Sequence, residues 1–106
     1  MAEHLSDGTK EYLIYDLTDR IGDLTDLTGT NPRFDIWDPT DSKVVADSPL
    51  EIDPLAPMRV FALIDTTLPA LAANDSDVYH VYLRFDTGPE SPYLHGGDFY
   101  VDSTPK

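Results

Sequence analysis

Three histidines, His4, His80 and His95, and twenty acids, sixteen of them Asp, carry whatever chemistry this sequence can do. There is no cysteine, which excludes disulfides and thiolate metal sites. A nucleophilic site needs a Ser, Cys or Thr beside a base that a third group orients. The stretch ESPYLHGGD holds Ser91, His95 and Asp98, but in one local turn, with no nucleophile elbow and no recognisable oxyanion hole. Zinc needs several His or carboxylate groups converging. His80 falls in the middle of a strand, His95 in a loop and His4 in the N-terminal tail, so no metal site and no cofactor is expected.

The acids invite a calcium reading. An EF-hand loop wants acids at alternate positions, Gly at the sixth and Glu at the twelfth. DIWDPTDS sets Asp35, Asp38 and Asp41 at intervals of three without that Gly, and Asp75 and Asp77 of NDSDVYH run straight into a strand. Only a calcium site assembled from distant loops stays compatible with the spacing. Asp more commonly closes turns. DLTD occurs twice in DLTDRIGDLTDLTG (16–29), where Gly22 and the threonines argue against a helix and for a crossover segment whose turns Asp and Thr cap. A hydrolase built on paired carboxylates needs two acids in a cleft, for which a small sandwich has little room. No enzymatic activity is expected.

The elements that must position these groups are short strands. The chain has 106 residues, 41% of them apolar, enough for one hydrophobic core. Nine prolines break up long helices. Apolar runs alternate with turn chemistry at close spacing, which predicts an all-β fold. Strands are expected at 10–17, 33–38, 43–46, 58–65, 77–86 and 98–102, with a further short one near 49–53 and one helical turn over 68–75. Residues 1–9 read as a flexible tail, 10–102 as a single domain and 103–106 as a second tail. Alternation places Tyr79, Val81, Leu83 and Phe85 inward and Val78, His80, Tyr82 and Arg84 outward; Phe34, Ile36, Phe99 and Val101 extend the buried set. MRVFALID (58–65) is apolar on both faces, which is expected of a central strand or of one whose outer face meets something else. Trp37, Tyr82 and Tyr100, if outward near it, would form an amphipathic interface patch, and are otherwise cross-strand pairs that stabilise the sheet.

The formal net charge of −13 sets the partners. Nucleic acid, whose binding proteins need Lys and Arg to displace counterions, is not expected as one. No stretch approaches the roughly 20 apolar residues of a membrane span. MAEHLSDGTK lacks the basic start and apolar run of a signal peptide.

The order of motifs carries a resemblance. DLTG (26–29) precedes a strand with Phe34 and Ile36 in alternation; VYHVYLRF (78–85) follows, then the turn TGPESPY (87–93) and a closing FYV (99–101). Over about residues 12–102 this resembles the immunoglobulin-like domains of tailed-phage virion proteins, especially the N-terminal domain of the baseplate upper protein family. The resemblance implies an immunoglobulin-like antiparallel β-sandwich of about seven strands. It implies a structural subunit of the virion, assembled after synthesis in the host cytoplasm: a head decoration or head–tail connector that docks on capsid or tail proteins in many symmetric copies, or a baseplate or tail accessory module. Candidate interface residues are Trp37, Tyr82, Tyr93, His95 and Tyr100, with 88–98 as the first contact loop and 38–43 as the second. Two other classes compete. One is a carbohydrate-binding sandwich with Trp37, Tyr82 and Tyr93 as its platform. The other is an acidic inhibitor that mimics nucleic acid toward a basic enzyme.

Overall fold

The computed structural model describes residues 3–87 and 92–103, apart from the side chains of Asp75 and Ser76. Eight strands follow in order: β1 (Glu3–Ser6), β2 (Lys10–Asp16), β3 (Arg33–Trp37), β4 (Lys43–Pro49), β5 (Glu51–Asp53), β6 (Ala56–Asp65), β7 (Asn74–Arg84) and β8 (Tyr93–Asp102). They form a five-stranded sheet, β1-β8-β7-β3-β4, and a three-stranded sheet, β2-β6-β5. The two sheets close on one core, in which Phe34, Phe85 and Phe99 are the largest fully buried side chains.

This is an all-β sandwich with immunoglobulin-like connectivity: among the eight strands four of the seven connections cross between the sheets, and the first strand lies beside the last. Tyr79, midway along β7, donates its hydroxyl hydrogen to the Ala72 carbonyl at 2.7 Å, a bond like the tyrosine corner of such sandwiches. Two residues on, where an antibody domain carries its second cysteine, stands the fully buried Val81.

The alternation along 77–86 holds. Tyr79, Val81, Leu83 and Phe85 are buried while Val78, His80, Tyr82 and Arg84 are half-exposed, and Phe34, Ile36, Phe99 and Val101 are buried as expected. Several boundaries differ. Residues 3–6 are not a tail: they form β1, parallel to β8, because Leu5 pairs with Val101 and buries itself in the core. That makes eight strands rather than seven, with one parallel pair. The helical turn over 68–75 shrinks to a 3-10 turn at Pro69–Leu71, since β7 already starts at Asn74. The final strand starts at Tyr93, so YLHGG (93–97) is strand and not loop. Of the proposed contact loop 88–98, residues 88–91 lie outside the described residues, as do 1–2 and 104–106 of the proposed tails.

A bulge makes the longer β8 consistent with its burial. Tyr82 pairs with His95 and Val81 with Gly97, so Gly96 is an extra residue opposite nothing. A Cβ at Gly96 would sit 3.1 Å from Leu83 Cγ and 3.3 Å from Tyr15 Cε1, so any larger residue requires those side chains to give by a few tenths of an ångström. A second bulge lies in β4, where Phe34 pairs with Ser48 and Ile36 with Val45, leaving Ala46 and Asp47 opposite Asp35. Asp47 takes a left-handed backbone conformation there (φ 53°), which Asp tolerates better than most residues.

The excess of Asp resolves into turn closure. Asp16, Asp26, Asp38 and Asp65 each accept the backbone N–H of the Thr two residues on, at 2.8–3.0 Å. Thr18, Thr40 and Thr67 add their hydroxyls to the same oxygen. These bonds favour the ionised form; the Thr side chain is the largest cause holding all four carboxyls below the usual range. The crossover 17–32 buries Leu17, Ile21 and Leu27 between such turns, as a capped crossover should.

Two outcomes follow from these local devices. Gly96→Val overpacks the Leu83–Tyr15 contact and lowers unfolding free energy by about 1–3 kcal/mol in urea titrations. A lowered carboxyl pKa contributes stability that is complete above the unfolded Asp value of about 3.9 and lost as pH falls through the folded value. Thermal melts therefore show Thr40→Val below wild type at pH 7, and the gap between them closes below about pH 4.

Candidate functional site

The outer face of the five-stranded sheet gathers nearly all the polar and aromatic groups that the sequence singles out. Strand register sets the rows: Asp35 of β3 opposes Tyr82, Trp37 opposes His80, and across β7 Tyr82 opposes His95 while His80 opposes Asp98. The rings of Tyr82 and Tyr93 stack with centroids 5.1 Å apart and planes 5° from parallel, and His95 tilts against Tyr82 at 5.2 Å. Trp37 donates its indole N–H to the Tyr93 hydroxyl at 3.0 Å. A shallow cleft of about 320 Å³ opens here, lined by Trp37, Asp41, His80, Tyr82 and Tyr93.

Four of the five candidate interface residues, Trp37, Tyr82, Tyr93 and His95, thus belong to one surface. Tyr100 does not join them. It lies further along β8, stacked on His4 at 4.7 Å, while His4 Nδ1 meets Asp102 Oδ2 at 2.9 Å. The aromatics also do not lie near the outer face of 58–65. That segment is β6 of the other sheet, so the core separates the two surfaces.

Beneath the cleft lies a group that the strand pattern does not reveal. Asp35 sits at an outward position of β3, yet its side chain is fully buried. Tyr93 covers it and donates its hydroxyl hydrogen to Oδ2 at 3.1 Å, while the bulged Asp47 backbone N–H donates to Oδ1 at 2.8 Å. Lys43 Nζ and Arg84 Nε approach Oδ2 at 3.5 and 3.4 Å. Arg84 Nε completes no hydrogen bond there, so its contact is an ion pair; its Nη2 pairs with Asp47. Partial burial is the largest cause raising the Tyr93 phenol pKa above its usual range; the bond from Trp37 opposes it, and the Asp35 carboxylate adds to it. Removing a charge so enclosed leaves its cations facing each other.

At the other side of the cleft, Asp98 Oδ1 receives two imidazoles: His80 Nδ1 at 2.8 Å and His95 Nε2 at 2.7 Å. Partial burial pushes the Asp98 carboxyl up, but the hydrogen bonds from His80 and His95 outweigh it and hold it below the usual range. One ligand atom from each of the three lies within 4.8 Å of the others, the one such cluster found among the described residues. The histidines were expected apart, His80 in a strand and His95 in a loop; the bulge at Gly96 brings them together. Asp38, assigned to a calcium pattern and rejected there, closes the turn after β3 through Thr40 and Ser42.

A second exposed surface lies on the three-stranded sheet. Tyr12 (53% exposed) opposes Leu63 (42%), and Ile14 (61%) opposes the half-buried Phe61, with the Tyr12 and Phe61 rings edge to face at 6.3 Å. This is the outer face of 58–65, and it is apolar as its sequence requires. No protein-family model, curated protein or solved structure matches the chain. Among the described residues no helix is long and apolar enough to cross a membrane.

Asp35→Ala tests the buried carboxylate. The variant loses about 2–3 kcal/mol of unfolding free energy in urea, below the ~3–5 of a fully enclosed pair because Lys43 and Arg84 keep some access to water.

Proposed function

We propose that this chain is a non-enzymatic structural module of a tailed-phage particle, docking on neighbouring virion proteins in many copies as a head decoration or head–tail connector subunit. The observation that carries the docking is the outer face of the three-stranded sheet, where Tyr12, Ile14, Phe61 and Leu63 form two adjacent cross-strand apolar pairs open to solvent. Scattered exposed apolar residues are ordinary; a contiguous patch on a rigid sheet is what protein interfaces use. The Asp16–Arg59 pair, 3.8 Å apart, borders the patch and supplies a polar rim. The virion setting is supported by the order of DLTG, the Phe34/Ile36 strand, VYHVYLRF and FYV along a sandwich of immunoglobulin type. Symmetric shells offer one docking site many times, which suits a small domain acting through a surface rather than a pocket.

A second reading has its own observation. The cleft lined by Trp37, His80, Tyr82 and Tyr93 is the kind of aromatic surface on which a sugar ring stacks, and it would make the chain a glycan binder for host adsorption. Lys43 stands against this, its Nζ over the Trp37 ring at 5.3 Å where a sugar would lie.

Quantitative mass spectrometry of gradient-purified particles from the source of this sequence decides between them, with the double variant Ile14→Asp, Leu63→Asp as the probe. Docking predicts the wild-type chain at a fixed copy number per particle and at least a tenfold lower occupancy for the folded variant, since two buried charges at an interface each cost more than the ~1.4 kcal/mol of a tenfold change. Absence of the wild-type chain from particles overturns the virion reading. Absence together with quenching of Trp37 fluorescence by cell-wall glycans puts the second reading in its place.

A further inference from the structure

We propose that His80, His95 and Asp98 form a binding site for a divalent transition-metal ion of the zinc type, with at least one coordination position open beside the aromatic cleft. The proposal is independent of the docking face, which lies on the other sheet.

The geometry points to it in three ways. First, the donors converge: two imidazole nitrogens reach the same carboxylate oxygen at 2.8 and 2.7 Å, and one ligand atom from each residue lies within 4.8 Å of the others. Ligands on a tetrahedral zinc, with bonds of about 2.0–2.2 Å, stand about 3.3 Å apart. For an ion to enter, the two N···O contacts open by about 0.5 Å and the widest donor pair, within 4.8 Å, closes by up to about 1.5 Å.

Second, the convergence is built by backbone. In a regular strand His95 and Asp98, three apart, would face opposite sides of the sheet. The extra Gly96 turns them to the same side, with Leu83 and Tyr15 packed close against it. His80 is the direct cross-strand partner of Asp98 on β7. All three ligands therefore stand on paired strands rather than on a loop, which limits the reorganisation that binding demands.

Third, the surroundings suit a cation. The chain carries a net charge of −13, which raises the local concentration of cations. The Tyr82 ring, 5.2 Å from His95, limits that imidazole's swing.

The donor set selects the metal. Two imidazoles and one carboxylate suit zinc, copper, nickel and cobalt, whereas calcium and magnesium prefer oxygen donors alone. Three protein ligands leave a fourth position for water or for a donor from a partner, the pattern of open zinc sites. The His95 side chain is half exposed, so an ion reaches the site from solvent. His80 also lines the cleft with Trp37, Tyr82 and Tyr93, which sets the open position at the cleft's edge. His4 and Asp102 provide the contrast on the same sheet face: one imidazole and one carboxylate, 2.9 Å apart, without a second ring.

Chelator-stripped, full-length protein titrated with zinc chloride by calorimetry, and with cobalt chloride by visible absorption, tests the site. The expected result is one ion per chain, a cobalt ligand-field band, and affinity at least about tenfold weaker in His95→Gln and in Asp98→Asn, with His4→Gln unchanged. Trp37, cross-strand partner of His80, adds a readout that needs no variant: cupric ion quenches its fluorescence saturably at one equivalent, and chelator restores it. Absence of saturable one-to-one binding to wild type overturns the proposal. So does binding that His95→Gln and Asp98→Asn leave intact, since the ion would then sit among the surface acids.

Discussion

The arrangement of the outer sheet depends on one constraint, the single extra residue in β8. Had β8 run on as a regular ladder with Gly96 counted in it, the period-two alternation that turns Tyr93 and His95 outward would turn Phe99 and Val101 outward as well. Both of the latter are fully buried, and Phe99 stacks on Tyr79 with centroids 5.3 Å apart. Shifting the register to keep them inside would instead bury His95 and the Tyr93 phenol. The bulge satisfies both halves of the strand at the expense of one ladder position, and glycine there spares Leu83 and Tyr15 a Cβ contact of 3.1–3.3 Å. The aromatic stack, the cleft and the two-histidine contact with Asp98 all follow from it.

Asp35 shows the complementary device on the same face of the sheet, toward its β4 edge. An ionised carboxylate out of water is costly unless donors and cations replace its hydration. β4 provides the replacement by bulging at Ala46 and Asp47, so that a main-chain N–H points at Oδ1 while Lys43, Arg84 and the Tyr93 hydroxyl close around Oδ2. Such a network adds little net stability over an apolar filling, but it is satisfied in only one register of β3 against β4 and β7. Its position under Tyr93 also fixes that ring, and through the Trp37 N–H the indole beyond it. The cleft is therefore rigid on its tyrosine side because of a buried charge beneath it.

How far the sequence discloses this follows from the range of each interaction. Alternation within one strand is local, so the inward set Tyr79, Val81, Leu83 and Phe85 is legible, as are the eventual strands at 10–16, 33–37 and 56–65 within a few residues. The four Asp-x-Thr turns are local too, and their chemistry is visible in the letters. A bulge is not: Gly96-Gly97 reads as a turn, because its meaning depends on the partner strand that it opposes. For the same reason His80 and His95 look unrelated, although the fold makes them neighbours. β1 escapes notice because EHLS offers one apolar residue, and only the neighbouring Val101 of β8 gives Leu5 somewhere to go. Asp35 hides behind a correct strand reading, since an acid at an outward position is expected to be wet.

The two outer faces divide the molecule's surface chemistry, and the acids explain how both remain available. Most proteins with an open apolar patch risk self-association. Here carboxylates are fixed at strand ends by the turns they close: Asp16 after β2, Asp38 after β3, Asp53 after β5 and Asp65 after β6. Much of the charge thereby stands at strand ends, and on this face Glu51 of β5, cross-strand partner of Phe61, is the acid beside the Ile14–Phe61 pair. Two of those strand-end acids, Asp16 and Asp53, are paired with Arg59, so what opposes contact between approaching copies within about a Debye length of 8 Å is the net charge of −13 on each chain. A partner with a basic rim around an apolar centre meets the reverse. Turn closure and net charge are thus supplied by the same aspartates, so the acidity that the backbone requires locally also sets the repulsion that opposes contact between copies.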